Sequence, residues 1–172
     1  MSVKIVSDTG CDLPPSLVEQ HDIALVPLVL RFDDRDLPDT PDTRVELWQR
    51  VEAGLPCDTS GPPIGAYEVV YEPLVAAGHD VLCITLTGAH SVTYSSAWAA
   101  AQSFPGQVTV IDSCSLSFGY GFQVLKAAQA AANGADLAAA VDVVRSVQQR
   151  SQLRFFLEQL DQVKRGGRLD AL

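Results

Sequence analysis

The residues in this chain that most plainly invite chemistry are hydroxyls at the junctions of its elements. Ser91 and Thr93 lie in the stretch DVLCITLTGAHSVTYSSA, residues 80–97. Val81, Leu82, Ile84 and Leu86 form a nearly continuous apolar run, the pattern of a strand covered on both faces. Thr87 to Ser91 break that run with small and polar residues, and helix-compatible sequence follows from Tyr94 to Gln102. A strand–loop–helix junction of this kind sets Ser91 or Thr93 near a helix N-terminus, where unbonded N–H groups and the helix dipole favour an anion. The same two residues also suit plain helix capping, and the spacing leaves both roles open. Thr59 and Ser60 sit in the irregular loop LPCDTSGPP, residues 55–63. They either converge on the same edge or form an ordinary turn before proline.

Other candidates carry less. Asp8, Asp12 and Asp112 follow or end apolar runs and read as turn and cap residues rather than catalytic acids, although a buried carboxylate there would orient hydroxyls. His90 beside Ser91 suggests a base and a nucleophile. Adjacent side chains rarely face each other, however, and no G-x-S-x-G elbow is present. An esterase or phosphate-ester enzyme using these loops is the alternative to a binding protein. Gly119-Tyr120-Gly121 lacks the rest of a dinucleotide fingerprint. Cys11, Cys57, Cys83 and Cys114 are scattered, without zinc spacing, so neither a metal nor a cofactor is expected. With no signal peptide and no apolar run of membrane length, they imply free thiols in a reduced cytoplasmic setting. A net charge of −9 disfavours nucleic acid and stable anchoring on an anionic membrane. Arg150, Arg154, Lys164, Arg165 and Arg168 gather near the C-terminus against that overall sign.

The elements that must position these groups alternate between strand and helix. Val3 to Ser7 reads as a strand ending at Asp8, and Ser16 to His21 as a short helix after two prolines. Ile23 to Phe32 reads as one strand bent at Pro27. Asp33 to Asp42 is polar and predicts an exposed loop. Thr43 and Glu46 form a capping-box pattern for a helix that Gly54 stops. A helix then runs from Pro62 and Pro63 to about Ala77, with Ile64, Tyr67, Tyr71 and Leu74 recurring at threes and fours. Gln107 to Ile111 predicts another strand. An alanine-rich helix follows to about Ala132, and Asp136 caps a further one whose face is Leu137, Val141, Val144 and Val147. Leu153 to Leu157 predicts a short strand. Trp48 and Trp98 are expected in the core. The alternation indicates an α/β fold with a mainly parallel sheet and helices on both faces. Ligands in such sheets sit beyond the carboxyl ends of the strands, where the loops 8–12, 88–93 and 112–117 fall.

Read together, five segments resemble the DegV family. Ile5-Val6-Ser7-Asp8-Thr9-Gly10-Cys11-Asp12-Leu13-Pro14 is similar to its opening IVTDSTCDLP. Thr59-Ser60-Gly61-Pro62 stands where the family has Thr-Ser-Gln-Pro. His90-Ser91-Val92-Thr93-Tyr94-Ser95-Ser96-Ala97 is similar to LSGTYQSA. Val110-Ile111-Asp112-Ser113, then Ser117, Gly119 and Gly121, matches IDS…S.G.G, and Lys164-Arg165-Gly166-Gly167-Arg168-Leu169 matches K-G-G-R-I/L. The order and spacing of the set make the resemblance specific, and it spans the chain end to end.

The resemblance implies a lipid carrier without catalytic activity. It binds a long-chain fatty acid between two domains and, where a fatty acid kinase exists, presents the carboxylate for acyl-phosphate formation. By position it makes Thr59 and Ser91 the first carboxylate ligands, with Ser60 and Thr93 next, and Arg168 a contact for the head group or the kinase. It implies a DegV-like α/β domain over residues 1–160. Residues 161–172 then begin the connection to a second α/β domain that this chain is expected to lack, a truncated form. A shortened chain with no competent site is a further reading. Two positions depart from the pattern: Val92 replaces a glycine and His90 a leucine. Valine narrows the approach of backbone and ligand and disfavours positive φ.

Overall fold

A computed structural model describes residues 2–157. Its strands are β1 (Val3–Asp8), β2 (Ala24–Val26), β3 (Val29–Arg31), β4 (Asp36–Pro38), β5 (Asp58–Ser60), β6 (Asp80–Thr85) and β7 (Val108–Asp112). Its helices are α1 (Pro15–Gln20), α2 (Pro41–Glu52), α3 (Ile64–Ala76), α4 (Thr93–Ala101), α5 (Phe118–Ala132) and α6 (Leu137–Arg150). Four strands form a parallel sheet in the order β2-β1-β6-β7, and three form a small antiparallel sheet in the order β4-β3-β5.

Both faces of the parallel sheet are apolar because its central strands alternate two apolar sets. Ile5, Leu82 and Ile84 point to one side and meet Tyr120, Val124 and Ala127 of α5 and Val144 of α6. Val6, Val81 and Cys83 point to the other and meet Tyr67 and Tyr71 of α3 and Ala97 and Ala100 of α4. A strand buried on both sides needs no polar alternation, which is why its sequence reads as a continuous run. The expected α/β architecture, mainly parallel with helices on both faces, is therefore the observed one.

Several local expectations are corrected. Ile23 to Phe32 is not one strand. Pro27 has no N–H to give a ladder. The chain leaves the parallel sheet after Val26 and enters the antiparallel one at Val29. The Asp33 to Asp42 loop contains β4, and the irregular loop around Thr59 and Ser60 contains β5, which pairs with β3. The capping box is Thr40 with Thr43, not Thr43 with Glu46. Thr40 accepts from the Thr43 N–H, Thr43 accepts from the Thr40 N–H, and Pro41 takes the first helical position. Trp48 and Trp98 are 61% and 52% exposed, so they belong to the surface and not to the core. Leu153 to Leu157 is exposed and forms no strand. Asp136 does cap α6, accepting from the Ala139 N–H.

Gly121 of α5 shows how closely that helix seats on the loop after β1. A Cβ at Gly121 would lie 2.5 Å from the Cys11 carbonyl oxygen, a backbone atom that cannot swing away. Gly121→Ala should therefore cost about 1–3 kcal/mol of stability by overpacking. Urea denaturation measures this, and an unchanged midpoint would contradict the close contact.

Candidate functional site

The order β2-β1-β6-β7 places a switch point between β1 and β6, where chain connections diverge to opposite sides. In this protein an acid of its own occupies that crevice. Asp8, the last residue of β1, is fully buried. Its Oδ2 accepts from the Leu86 N–H at 2.9 Å, and its Oδ1 from the Tyr120 hydroxyl at 2.6 Å and the Gly10 N–H at 3.1 Å. Burial pushes the carboxyl above its usual range, against the lowering effect of those three donors. A neighbouring polar cluster lies toward α2. Thr9 donates to Asp39 at 2.6 Å, and Arg44 grips Asp39 with Nε and Nη2 at 2.5 and 2.7 Å. Asp12 accepts from Ser117 at 2.7 Å. The three acids read from sequence are thus turn and anchor residues. The hydroxyls that Asp8 and Asp12 orient belong to Tyr120 and Ser117.

The loop after β6 delivers Ser91 and Thr93 to the start of α4. The cap position itself is Val92, whose side chain cannot cap. Ser91 does so from one residue earlier, its Oγ accepting from the Thr93 N–H at 3.2 Å. The Ser91 and Thr93 hydroxyls also bond each other at 2.7 Å. Thr93 is fully buried, Ser91 is half-buried and Val92 is 59% exposed. Val92 has φ −73°, so the strain expected of valine in place of glycine does not arise.

Gly61 brings the second hydroxyl pair to this place. A Cβ there would stand 2.9 Å from Thr93 Oγ1, 2.9 Å from Val92 Cγ2 and 3.0 Å from the Thr93 nitrogen. Only a residue without a side chain lets β5 end so close to α4. Thr59, exposed, and Ser60, half-buried, are the two residues immediately before that contact. The structure therefore joins Ser91 to Thr93 directly and brings the Thr-Ser-Gly segment against them at the backbone. Arg168 and the expected boundary at residue 160 lie outside the described residues.

Two cavities flank these loops. One of about 570 Å³ is lined by Cys11, Leu13, Val18, Ile23, Leu25 and Arg44, among others. The other, about 450 Å³, lies behind the β6 and β7 loops and is lined by residues including His90, Asp112, Cys114, Gln123 and Gln148. Neither contains the four hydroxyl residues. Sequence reasoning missed the Asp39–Arg44 grip and the Tyr120–Asp8 bond, which carry no spacing signal. Burial pushes the Cys11 thiol up to about 11 and the Cys83 thiol up to about 12. Cys114 is raised too, by burial and by Asp112. At all three the shift disfavours the thiolate. All four cysteines are free, and among the described residues no cluster of His, Cys, Asp and Glu could hold a metal. No helix among those residues is long and apolar enough to cross a membrane.

Together these features define an α/β domain in which the segments bearing Thr59, Ser60, Ser91 and Thr93 meet at Gly61. The chain belongs to the DegV family, whose members are described as uncharacterised proteins and whose model matches residues 2–172. A DegV domain-containing protein of Staphylococcus aureus strain COL is 32% identical over 166 residues, covering 96% of this chain and 60% of that protein. This chain thus spans about 60% of that relative's length. Among solved structures, a fatty-acid-binding DegV family protein from Thermus thermophilus superposes with a TM-score of 0.88 at 32% identity, over 98% of this chain and 61% of that one. DegV from Bacillus subtilis, also a fatty acid binding protein, gives a TM-score of 0.80 at 27% identity, over 99% and 62%.

The buried acid gives a pH prediction with a definite sign. The folded chain raises the Asp8 pKa above its ordinary 3.8. Its stabilising contribution is therefore complete below that ordinary value and is lost as pH rises through the folded one. Relative to Asp8→Asn, which does not titrate there, the wild type should gain stability as pH falls from neutrality towards the carboxylate range. Urea melts of both chains across that range test this, and the opposite slope would refute it.

Proposed function

We propose that this chain binds a long-chain fatty acid through its carboxylate and carries it without transforming it. Thr59, Ser60 and Ser91 are the hydroxyl donors, and Thr93, closed off behind Ser91, orients the Ser91 hydroxyl. The observation that carries this reading is the Gly61 contact, which lets two separate hydroxyl segments end at one place beside a helix N-terminus. The fatty-acid-binding relatives support it. Bonds to a charged acceptor contribute about 1.5–3 kcal/mol each. Tail burial, at about 0.8 kcal/mol per CH₂, dominates affinity, and the hydroxyls fix which end faces out.

Presentation of the carboxylate to a fatty acid kinase, with Arg168 touching the head group or the kinase, extends the same proposal. It rests on the motif resemblance. Neutral donors suit a carrier, because they orient a carboxylate that a second protein must reach. The esterase or phosphate-ester alternative needs a base on Ser91, and the hydroxyl partner in the structure is Thr93.

Mass spectrometry of the denatured protein should show co-purified acyl species, and added palmitate should be taken up. Absence of both would end the carrier reading. Ser91→Ala and Thr59→Ala should each weaken palmitate binding about tenfold, the equivalent of one lost bond. Unchanged affinity would remove that residue from the site. Gly61→Ala tests the convergence separately. Its methyl should push β5 from α4 and lower palmitate affinity although no donor is removed, and a wild-type affinity would show that the contact does not shape the site.

A further inference from the structure

The loop that carries Ser91 is held from both sides by the same device. β6 lies between β1 and β7, and each neighbour ends on an aspartate, Asp8 and Asp112. Each aspartate folds one oxygen back onto the N–H two residues ahead: Asp8 Oδ1 accepts from Gly10 at 3.1 Å and Asp112 Oδ1 from Cys114 at 2.9 Å. Each turns its other oxygen sideways onto the loop leaving β6. Asp8 Oδ2 takes the Leu86 N–H at 2.9 Å and Asp112 Oδ2 takes the Gly88 N–H at 3.0 Å. These amides are two residues apart, and each is bonded from the opposite flank. A Cβ at Gly88 would lie 3.0 Å from Asp112 Oδ2, so this glycine is what admits the second carboxylate. The Thr87 N–H between them goes to the Ser115 carbonyl at 3.2 Å. Beyond Gly88 the Ala89 N–H bonds Thr87 Oγ1 and the His90 N–H bonds the Thr87 carbonyl, just before Ser91.

We propose that Asp8 and Asp112 act as a pair of positioning residues that clamp the β6–α4 loop and thereby set where Ser91 and Thr93 stand. The proposal rests on the carrier reading for its functional meaning. Its geometry concerns the protein's own amides. A turn residue needs one acceptor oxygen, whereas a clamp needs two, and only a carboxylate supplies two at this reach. Asp8 is deeply buried and is the riskier position to change. Asp112 is half-buried and is the better probe.

Asp112→Asn separates the roles. Asparagine keeps its single oxygen for the local turn to Cys114, as it does in such turns generally. It then presents an N–H₂ to the Gly88 N–H. If Asp112 served the local turn alone, the variant would match the wild type. As a clamp residue it should instead behave like Asp112→Ala at Gly88. Amide hydrogen exchange of Gly88 and Thr93 in the unliganded chain should speed up about tenfold or more, with the β1 and β6 core amides unchanged. Palmitate affinity should fall about tenfold while the denaturation midpoint stays near wild type. Wild-type exchange at Gly88 in the asparagine variant would overturn the clamp. If the wild-type chain takes up no palmitate, the carrier reading falls, and the Gly88 exchange still decides whether the clamp exists.

Discussion

A buried carboxylate is costly to keep in a protein interior unless its lone pairs are met. Asp8 meets that condition with donors from three separated parts of the chain: the turn it begins, the exit of β6 and a tyrosine of α5. The bond therefore fixes the relation of β1, β6 and α5 at the point where a parallel sheet usually opens to receive a ligand. It also fills that point with a side chain that offers acceptors rather than donors. A phosphate drawn to the switch-point crevice would meet Asp8, which argues against nucleotide chemistry more directly than the incomplete glycine pattern at Gly119 and Gly121 does. The site we propose lies instead on the flank of the sheet, where α4 begins and β5 ends.

The electrostatics of that flank favour neutral donors. Arg44, which reaches the loop after β1 at the Thr9 carbonyl, is held by Asp39 in two bonds and lies 3.6 Å from Asp12. Among the described residues, the Thr93 hydroxyl and the start of α4 stand beside Gly61. This combination is weaker than an arginine fork and more dependent on placement, since a hydroxyl gives one bond in one direction. Placement is what the Ser91–Thr93 bond provides. With Thr93 buried and its amide bonded to Ser91, the Ser91 hydroxyl is ordered before any guest arrives, which lowers the entropy cost of binding.

How far the sequence could be read depended on the range of the interaction. The parallel sheet, the α6 face at Val144 and Val147 and the Asp136 cap follow from local period and local chemistry, and the structure has them. Trp48 and Trp98 failed because size and hydrophobicity do not say which side of a helix faces out: α2 buries none of its residues fully. Pro27 was legible as a break but not as a change of sheet, because the destination depends on β4 and β5. Thr40 was missed because Thr43 with Glu46 made an equally good pattern three residues on. Tyr120 and Asp8 are 112 residues apart, and nothing local pairs them. Thr59 and Ser60 were legible as hydroxyls before a proline, and their strand was not, since Leu30 and Val29 supply the ladder.

The contact between Gly61 and Val92 explains a departure that looked unfavourable in the sequence. The motif similarity puts a glutamine where Gly61 stands and a glycine where Val92 stands. The structure sets these two positions face to face: a Cβ on Gly61 would be 2.9 Å from the valine methyl, and also 2.9 Å from Thr93 Oγ1 and 3.0 Å from the Thr93 nitrogen. Val92 keeps an ordinary helical φ, so valine at this position carries no backbone strain. The exchange also changes the wall beside the hydroxyls from an amide-bearing side chain to an aliphatic one. On the reading we propose, a head group bound here would lose a polar neighbour and gain an apolar one, which places still more of its retention on Ser91, Thr59 and Ser60.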